Sequence, residues 1–200
     1  MSGHVLITGT GRAGTTFLME VLTRLGLDTG FTVEQLSEVH PISHGGLEHN
    51  LLQPNLPYIL KSSLFHNVTT RVFAKPEFQL AHAIIPVRPL EEVAASRARV
   101  SKEAIAQGDR GRAIPGGFWE AFSDKEQRVA SAAAFHNIVY ELTARDVPIT
   151  FLLFPRLVKD ADYLVAKLGP IFPEVSESRF REAFAASSRP ERIHKFDAPS

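Results

Sequence analysis

The chain has 200 residues, the length of one ordinary domain, and 44% of them are hydrophobic, which is enough to bury a core. Its 22 Lys and Arg residues balance its 22 Asp and Glu residues, so it lacks the basic excess with which proteins bind nucleic acid in bulk. It contains no cysteine, which excludes disulfides, thiolate metal sites and cysteine nucleophiles.

The N-terminal residues and the apolar runs bear on where the protein resides. The first residues lack the basic start and the continuous apolar stretch of a secretory signal peptide. No stretch approaches the roughly 18 consecutive apolar residues of a membrane span. We therefore expect a soluble, unprocessed protein that resides in the cytoplasm and has no membrane span.

Short apolar runs alternate along the chain with longer segments of helical periodicity. The runs predict four strands, at residues 5–8, 57–61, 81–87 and 148–154. The spacing of the apolar residues predicts helices at residues 15–26, 89–102, 125–144, 156–168 and 177–186. Asp124 is expected to cap the third of these helices, and residues 109–117 are expected to form a loop.

This alternation of elements predicts the fold class. Strands that are separated by helices are joined by right-handed crossovers, which place a parallel sheet between layers of helices. The sequence contains no internal repeat and no composition shift that would indicate a second domain. We predict a single α/β domain over residues 1–200, with three layers and a parallel sheet.

A glycine-rich turn follows the first predicted strand directly. Residues 9–16 read GTGRAGTT and lead into the first predicted helix. This is the G-x-x-x-x-G-x-T spacing of a loop that cradles phosphate with its backbone N–H groups at a helix N-terminus. Thr15 stands where nucleotide-hydrolysing P-loops carry lysine, and the cation lies inside the loop instead, at Arg12. A glycine-rich turn without a ligand is the simpler alternative.

The same residues weigh against a kinase that uses Mg-ATP. Such an enzyme needs the loop lysine on the phosphates and an acidic residue at the end of a neighbouring strand to hold Mg²⁺. The later strands end at Lys61, Arg88 and Phe154, none of which is acidic. A P-loop kinase of a nucleotide or small metabolite stays open as an alternative, as does a non-catalytic nucleotide-binding module.

Residues 10–16 (TGRAGTT) resemble the 5′-phosphosulfate loop of sulfotransferases that use 3′-phosphoadenosine 5′-phosphosulfate (PAPS). In the carbohydrate-modifying and many bacterial members of that family, arginine likewise stands at the cationic position of the loop. The resemblance implies that this loop binds the cofactor through Gly11, Arg12, Ala13, Gly14, Thr15 and Thr16.

A second motif strengthens the resemblance. The family binds the 3′-phosphate with an arginine at a strand end and a serine eight residues later, and Arg88 and Ser96 have that spacing. Residues 148–169 are similar to a third, softer family pattern, and the resemblance spans residues 4–170. On spacing alone, Arg88 could equally form a surface ion pair with Glu91 or Glu92.

The resemblance also implies an activity. It predicts a P-loop NTPase-like fold and metal-independent, in-line transfer of a sulfuryl group from PAPS, which leaves adenosine 3′,5′-bisphosphate. The acceptor would be a hydroxyl or amine of a small molecule or carbohydrate. Such a transfer needs a cation at the departing oxygen and a base for the acceptor. Arg12 and Lys61 are the predicted cations, and His66 is the predicted base.

The segment between the first two strands offers further candidates for the base. It holds five polar side chains that could reach an acceptor, namely Glu38, His40, His44, Glu48 and His49. Its histidines also suggest a metal site, but their spacing matches no standard zinc pattern, so we predict no metal. Residues 109–119 could form a lid over the site or a plain connection. Remaining phosphate contacts could come from Arg110, Arg112, Arg189, Arg192 and Lys195.

Overall fold

A computed structural model describes residues 3–108 and 123–189 of the chain. The four predicted strands are confirmed as β1 (His4–Ile7), β2 (Ile59–Lys61), β3 (Leu80–Val87) and β4 (Ile149–Leu153). All pair in parallel, in the order β2-β1-β3-β4. β1 therefore lies in the middle of the sheet, and the segments that follow β1, β2 and β3 meet at one edge.

Six helices accompany the sheet in the described part of the chain. They are α1 (Thr15–Arg24), α2 (Thr69–Phe73), α3 (Leu90–Ala106), α4 (Asp124–Thr143), α5 (Ala161–Leu168) and α6 (Glu177–Ser187). No helix within the described ranges is both long and apolar enough to cross a membrane. The short helix α2 was not predicted from the sequence.

The alternation of side chains along β1 divides the core into two halves. Val5 and Ile7 pack with the helices α1, α5 and α6 on one face of the sheet. Leu6, between them, packs with α2 and α4 on the other face. Helices on both faces of a parallel sheet confirm the predicted α/β, three-layer fold.

Two predicted helix starts are wrong, and side-chain caps explain both. Ser123, not Asp124, caps α4, because its Oγ accepts the N–H of Glu126 at 3.3 Å while the Glu126 carboxylate accepts the Ser123 N–H at 3.0 Å. The helix predicted at 156–168 is two elements, a 3₁₀ turn (Arg156–Val158) and α5. Asp160 separates them by capping the Tyr163 N–H at 2.9 Å. The predicted loop at 109–117 lies outside the described residues.

Candidate active site

The glycine-rich turn of residues 9–16, called the phosphate loop below, connects β1 to α1. Its backbone is left-handed at three glycines, Gly9 (φ 131°), Gly11 (φ 69°) and Gly14 (φ 91°), and also at Arg12 (φ 57°). A side chain at Gly14 would bring a Cβ within 3.1 Å of Leu157 Cδ1. Glycine is therefore needed at that position for the conformation and for the space.

The end of the phosphate loop presents an open helix N-terminus. Gly14 is the N-cap of α1 and supplies no side-chain hydrogen bond, and the first turn carries no acidic residue. The first N–H groups of a helix have no partner within it, and the helix dipole makes this end positive. Thr15 and Thr16 add hydroxyl groups to these N–H groups. Such an end favours an anionic ligand.

A cleft of about 140 Å³ lies beside the phosphate loop. Six of the eight residues that the sequence assigns to the cofactor line it, namely Arg12, Gly14, Thr15, Thr16, Arg88 and Ser96. The other two, Gly11 and Ala13, belong to the loop but not to the cleft wall, and Ala13 is fully buried. The fold thus gathers residues that are up to 84 positions apart, such as Arg12 and Ser96, which are also joined by a hydrogen bond.

Arg12 reaches across the cleft wall to two other elements. Its Nε donates to Ser96 Oγ of α3 at 3.1 Å, and its Nη1 donates to the Ser43 carbonyl at 2.6 Å. Burial, and then the nearby charges of Arg99 and Arg88, lower the pKa of Arg12 to about 10. That value is far above neutrality, so the guanidinium remains charged and can stabilise an anion in the cleft.

Arg88 has both of the roles that the sequence allowed, since it forms an ion pair with a glutamate of α3 and also lines the cleft. It forms an ion pair with Glu92 one turn later, and its Nε and Nη2 both lie 2.9 Å from the same Glu92 oxygen. It also lines the cleft, where its Nη1 donates to the Arg12 carbonyl at 3.1 Å. Its guanidinium lies over the Phe154 ring, 4.6 Å from the ring centroid. Arg88 therefore supports the phosphate loop as well as lining the cleft.

Lys61 lies behind the phosphate loop rather than in the cleft. It ends β2 and is 1% exposed. Its Nζ contacts Thr16 Oγ1 at 2.9 Å, the Gly46 carbonyl, and Glu48 Oε1 at 3.2 Å. An ammonium group has three N–H donors, so these partners use all of them. Burial lowers the pKa of Lys61, and the side chain acts on the site through Thr16.

The predicted base, His66, is not among the residues that line the cleft. It lies in a 3₁₀ turn (Phe65–Asn67) after β2, and its carbonyl accepts Nδ2 of Asn137 from α4 at 3.1 Å. The adjacent Phe65 belongs to the core on the α4 face of the sheet. The fold thus directs this turn towards α4.

Of the other acid–base candidates, His44 lines the cleft. It has a left-handed backbone (φ 51°) and follows Ser43, whose carbonyl is bound by Arg12. His49 instead has both ring nitrogens engaged, with the Thr29 carbonyl at 3.1 Å and the Lys61 N–H at 3.0 Å. Non-glycine residues with a left-handed backbone, as His44 has, concentrate at functional sites.

Neither Glu48 nor His40 lines the cleft. The carboxylate of Glu48 accepts the N–H and the hydroxyl of Ser63 at 2.9 Å and 2.8 Å, besides the Lys61 ammonium. Nδ1 of His40 accepts the Ile42 and Ser43 N–H groups, each at 3.3 Å. Within residues 3–108 and 123–189 no three His, Asp or Glu side chains are grouped as metal ligands.

Two charged residues at the site were missed in the sequence. Glu20 lines the cleft and is 8% exposed, and its position one turn after Thr16 could have indicated this. Arg97 is completely buried beneath the phosphate loop. An arginine on the same helical face as Val93 and Val100 was the available signal.

The parallel sheet, the glycine-rich loop after the inner strand β1 and the cleft beside that loop define an α/β fold with a candidate anion site. In structure the chain is similar to the sulfotransferase domain from the curacin biosynthetic pathway, with a TM-score of 0.55 and 13% sequence identity. The similarity covers 92% of this chain and 78% of that one, and it shows a sulfotransferase fold. No protein-family model and no curated protein matches the sequence.

Proposed function

We propose that the protein is a PAPS-dependent sulfotransferase. The observation that carries this proposal is that one cleft is lined by the end of the phosphate loop together with Arg88 and Ser96. Those two groups match the residues that the family uses for the 5′-phosphosulfate and the 3′-phosphate. The likeness of the fold to a sulfotransferase domain supports the same conclusion.

The chemistry of the donors fits a nucleotide with two separate anionic groups. The open N-terminus of α1 and the hydroxyls of Thr15 and Thr16 would hold the 5′-phosphosulfate. The Arg88 guanidinium and the Ser96 hydroxyl would hold the 3′-phosphate. The cofactor, when bound, supplies the sulfuryl group. These side chains provide positive charge without a metal ion.

Three residues in or next to the cleft have distinct roles in the proposed transfer. Arg12 neutralises the charge that develops at the departing oxygen. Lys61 holds Thr16 in place and does not touch the substrate. His44 takes the proton from the acceptor hydroxyl or amine, since it lines the cleft and His66 does not. The acceptor is a small molecule or carbohydrate.

Calorimetric titration with adenosine 3′,5′-bisphosphate, run beside Mg-ATP, tests this function. We expect micromolar binding of the bisphosphate without metal and weaker binding of Mg-ATP. Preference for Mg-ATP would overturn the proposal in favour of a P-loop kinase. Binding of neither nucleotide would also contradict it.

The Arg88–Glu92 ion pair predicts a change in affinity that the same titration can measure. Glu92 is bound by Nε and Nη2 of Arg88. These are donors with which an arginine can form two parallel hydrogen bonds to a phosphate. We therefore expect Glu92→Gln to bind the bisphosphate roughly two- to fivefold more tightly, the range for a partly exposed ion pair. Affinity for adenosine 5′-phosphate should stay unchanged.

A matched control for this variant lies on α4. Glu141 pairs with Arg145 one turn later at 2.6 Å, and neither residue lines the cleft. Glu141→Gln should leave both affinities at their wild-type values. A weaker affinity of Glu92→Gln for the bisphosphate would mean that Glu92 orients Arg88 for the ligand and does not compete with it.

A further inference from the structure

Arg97 forms a buried floor beneath the phosphate loop. It follows Ser96 on α3 and is 0% exposed. Its Nη2 donates to the Thr10 carbonyl, and a Cβ at Gly11 would lie 3.1 Å from the same nitrogen. The loop therefore packs directly against this guanidinium, which is not part of the cleft lining.

Arg97 and Arg12 place two positive charges on the phosphate loop. Arg12 extends from the loop to the cleft wall, whereas Arg97 lies behind the loop. Burial, and then the charge of Arg12, lower the pKa of Arg97 to about 9. Like charges that are poorly solvated repel each other, and an anion bound at the loop would offset that repulsion.

We propose that Arg97 is a positioning residue of the anion site: it holds the phosphate loop through Thr10, and its buried charge favours an anionic phosphate or sulfate group at the loop. It does not touch the ligand. The inference rests on the proposed function only in taking the phosphate loop as the anion site. It goes beyond that function because neither the loop motif nor the strand-end motif includes this residue.

Two substitutions separate the charge of Arg97 from its hydrogen bond. Arg97→Gln removes the charge and leaves a neutral N–H donor on a shorter side chain, while Arg97→Lys keeps the charge. The thermal midpoint of each variant is measured in sodium sulfate and in sodium chloride of equal ionic strength. Affinity for adenosine 3′,5′-bisphosphate is measured by calorimetry. Arg71→Gln, at an exposed position of α2, is the control.

The proposal predicts an effect that depends on the anion. Sulfate should raise the midpoint of the wild type, the Lys variant and the control, and this rise should be at least halved in the Gln variant. The bisphosphate dissociation constant should increase about tenfold in the Gln variant and less in the Lys variant, as expected for loss of a nearby buried charge.

A purely structural role predicts a different pattern. The Gln variant would then lose the same stability in both salts and bind the bisphosphate normally, and this result would overturn the proposal. A wild-type midpoint that does not respond to sulfate would overturn it as well. A wild type that prefers Mg-ATP but responds to sulfate would contradict the proposed function and leave the role of Arg97 intact.

A measurement on the wild-type protein covers the case in which the Gln variant does not fold. The Nε–H resonance of Arg97 in a ¹H–¹⁵N spectrum should shift when inorganic sulfate or the bisphosphate is added, because the bound anion changes the field at the guanidinium. The resonance of Arg71 should stay in place. An Arg97 resonance that is insensitive to both anions would overturn the proposal.

Discussion

Replacing Arg12 with alanine is expected to lower the rate of the proposed sulfuryl transfer by a factor on the order of 10² to 10³, the usual loss when one preorganised charge-stabilising donor is removed. Arg12 is the cation of the phosphate loop and lines the cleft with Thr15 and Thr16. Its pKa of about 10 keeps it charged at neutral pH. Transfer of ³⁵S from labelled PAPS to a panel of hydroxyl and amine acceptors measures the effect.

A charge-conserving variant and a control variant show whether the loss of rate comes from the charge of Arg12. Arg12→Lys should retain part of the rate, since it keeps the charge but has a single nitrogen where Arg12 reaches both Ser96 and Ser43. Arg71→Ala, at an exposed position on α2, should transfer at the wild-type rate. Wild-type transfer by a folded Arg12→Ala variant would refute the assigned role, and thermal unfolding establishes that the variant is folded.

Replacing Arg88 with alanine is expected to weaken binding of adenosine 3′,5′-bisphosphate by about 10- to 100-fold, which corresponds to the loss of charge-assisted hydrogen bonds to a phosphate. Binding of adenosine 5′-phosphate should weaken less. Some weakening is expected there because Arg88 also donates to the Arg12 carbonyl and so supports the phosphate loop. Calorimetry with both nucleotides gives the two ratios.

Arg145 provides a closely matched control for Arg88. It pairs with a glutamate one helical turn away and lies over an aromatic ring, Phe73, 4.1 Å from the centroid, as Arg88 lies over Phe154. It does not line the cleft. Arg145→Ala should leave both nucleotide affinities unchanged. If Arg88→Ala lowered the affinity for both nucleotides by the same factor, the role of Arg88 would be limited to supporting the loop.

Much of the fold was predictable because its signals are local. Apolar runs of strand length and the helical spacing of apolar residues identified the four strands and most helices. The phosphate loop was recognisable because its left-handed turns need glycine, and glycines at 9, 11 and 14 are visible in the sequence. The helix ends were less predictable, since a hydrogen bond accepted by one side chain decided that Ser123, and not Asp124, caps α4.

The candidate site was predictable only in its chemistry. The sequence identified Arg12, Arg88 and Ser96 as potential ligands of phosphate, and the cleft brings all three together. It did not reveal that Lys61 has its donors occupied or that His66 lies away from the cleft. Those outcomes depend on which way a turn leaves the sheet, and neighbouring residues in the sequence carry no signal of it.

By itself, the amino-acid sequence determined the class of fold and the left-handed turns of the loop after β1, because these follow from local periodicity and from the conformational freedom of glycine. Only the tertiary structure decided which charged and polar groups surround that loop. Arg88, Arg97 and Ser43 reach it from distant segments. A parallel sheet assembles its functional edge from strands that are remote in sequence, so the partners of each charge are settled only when the chain has folded.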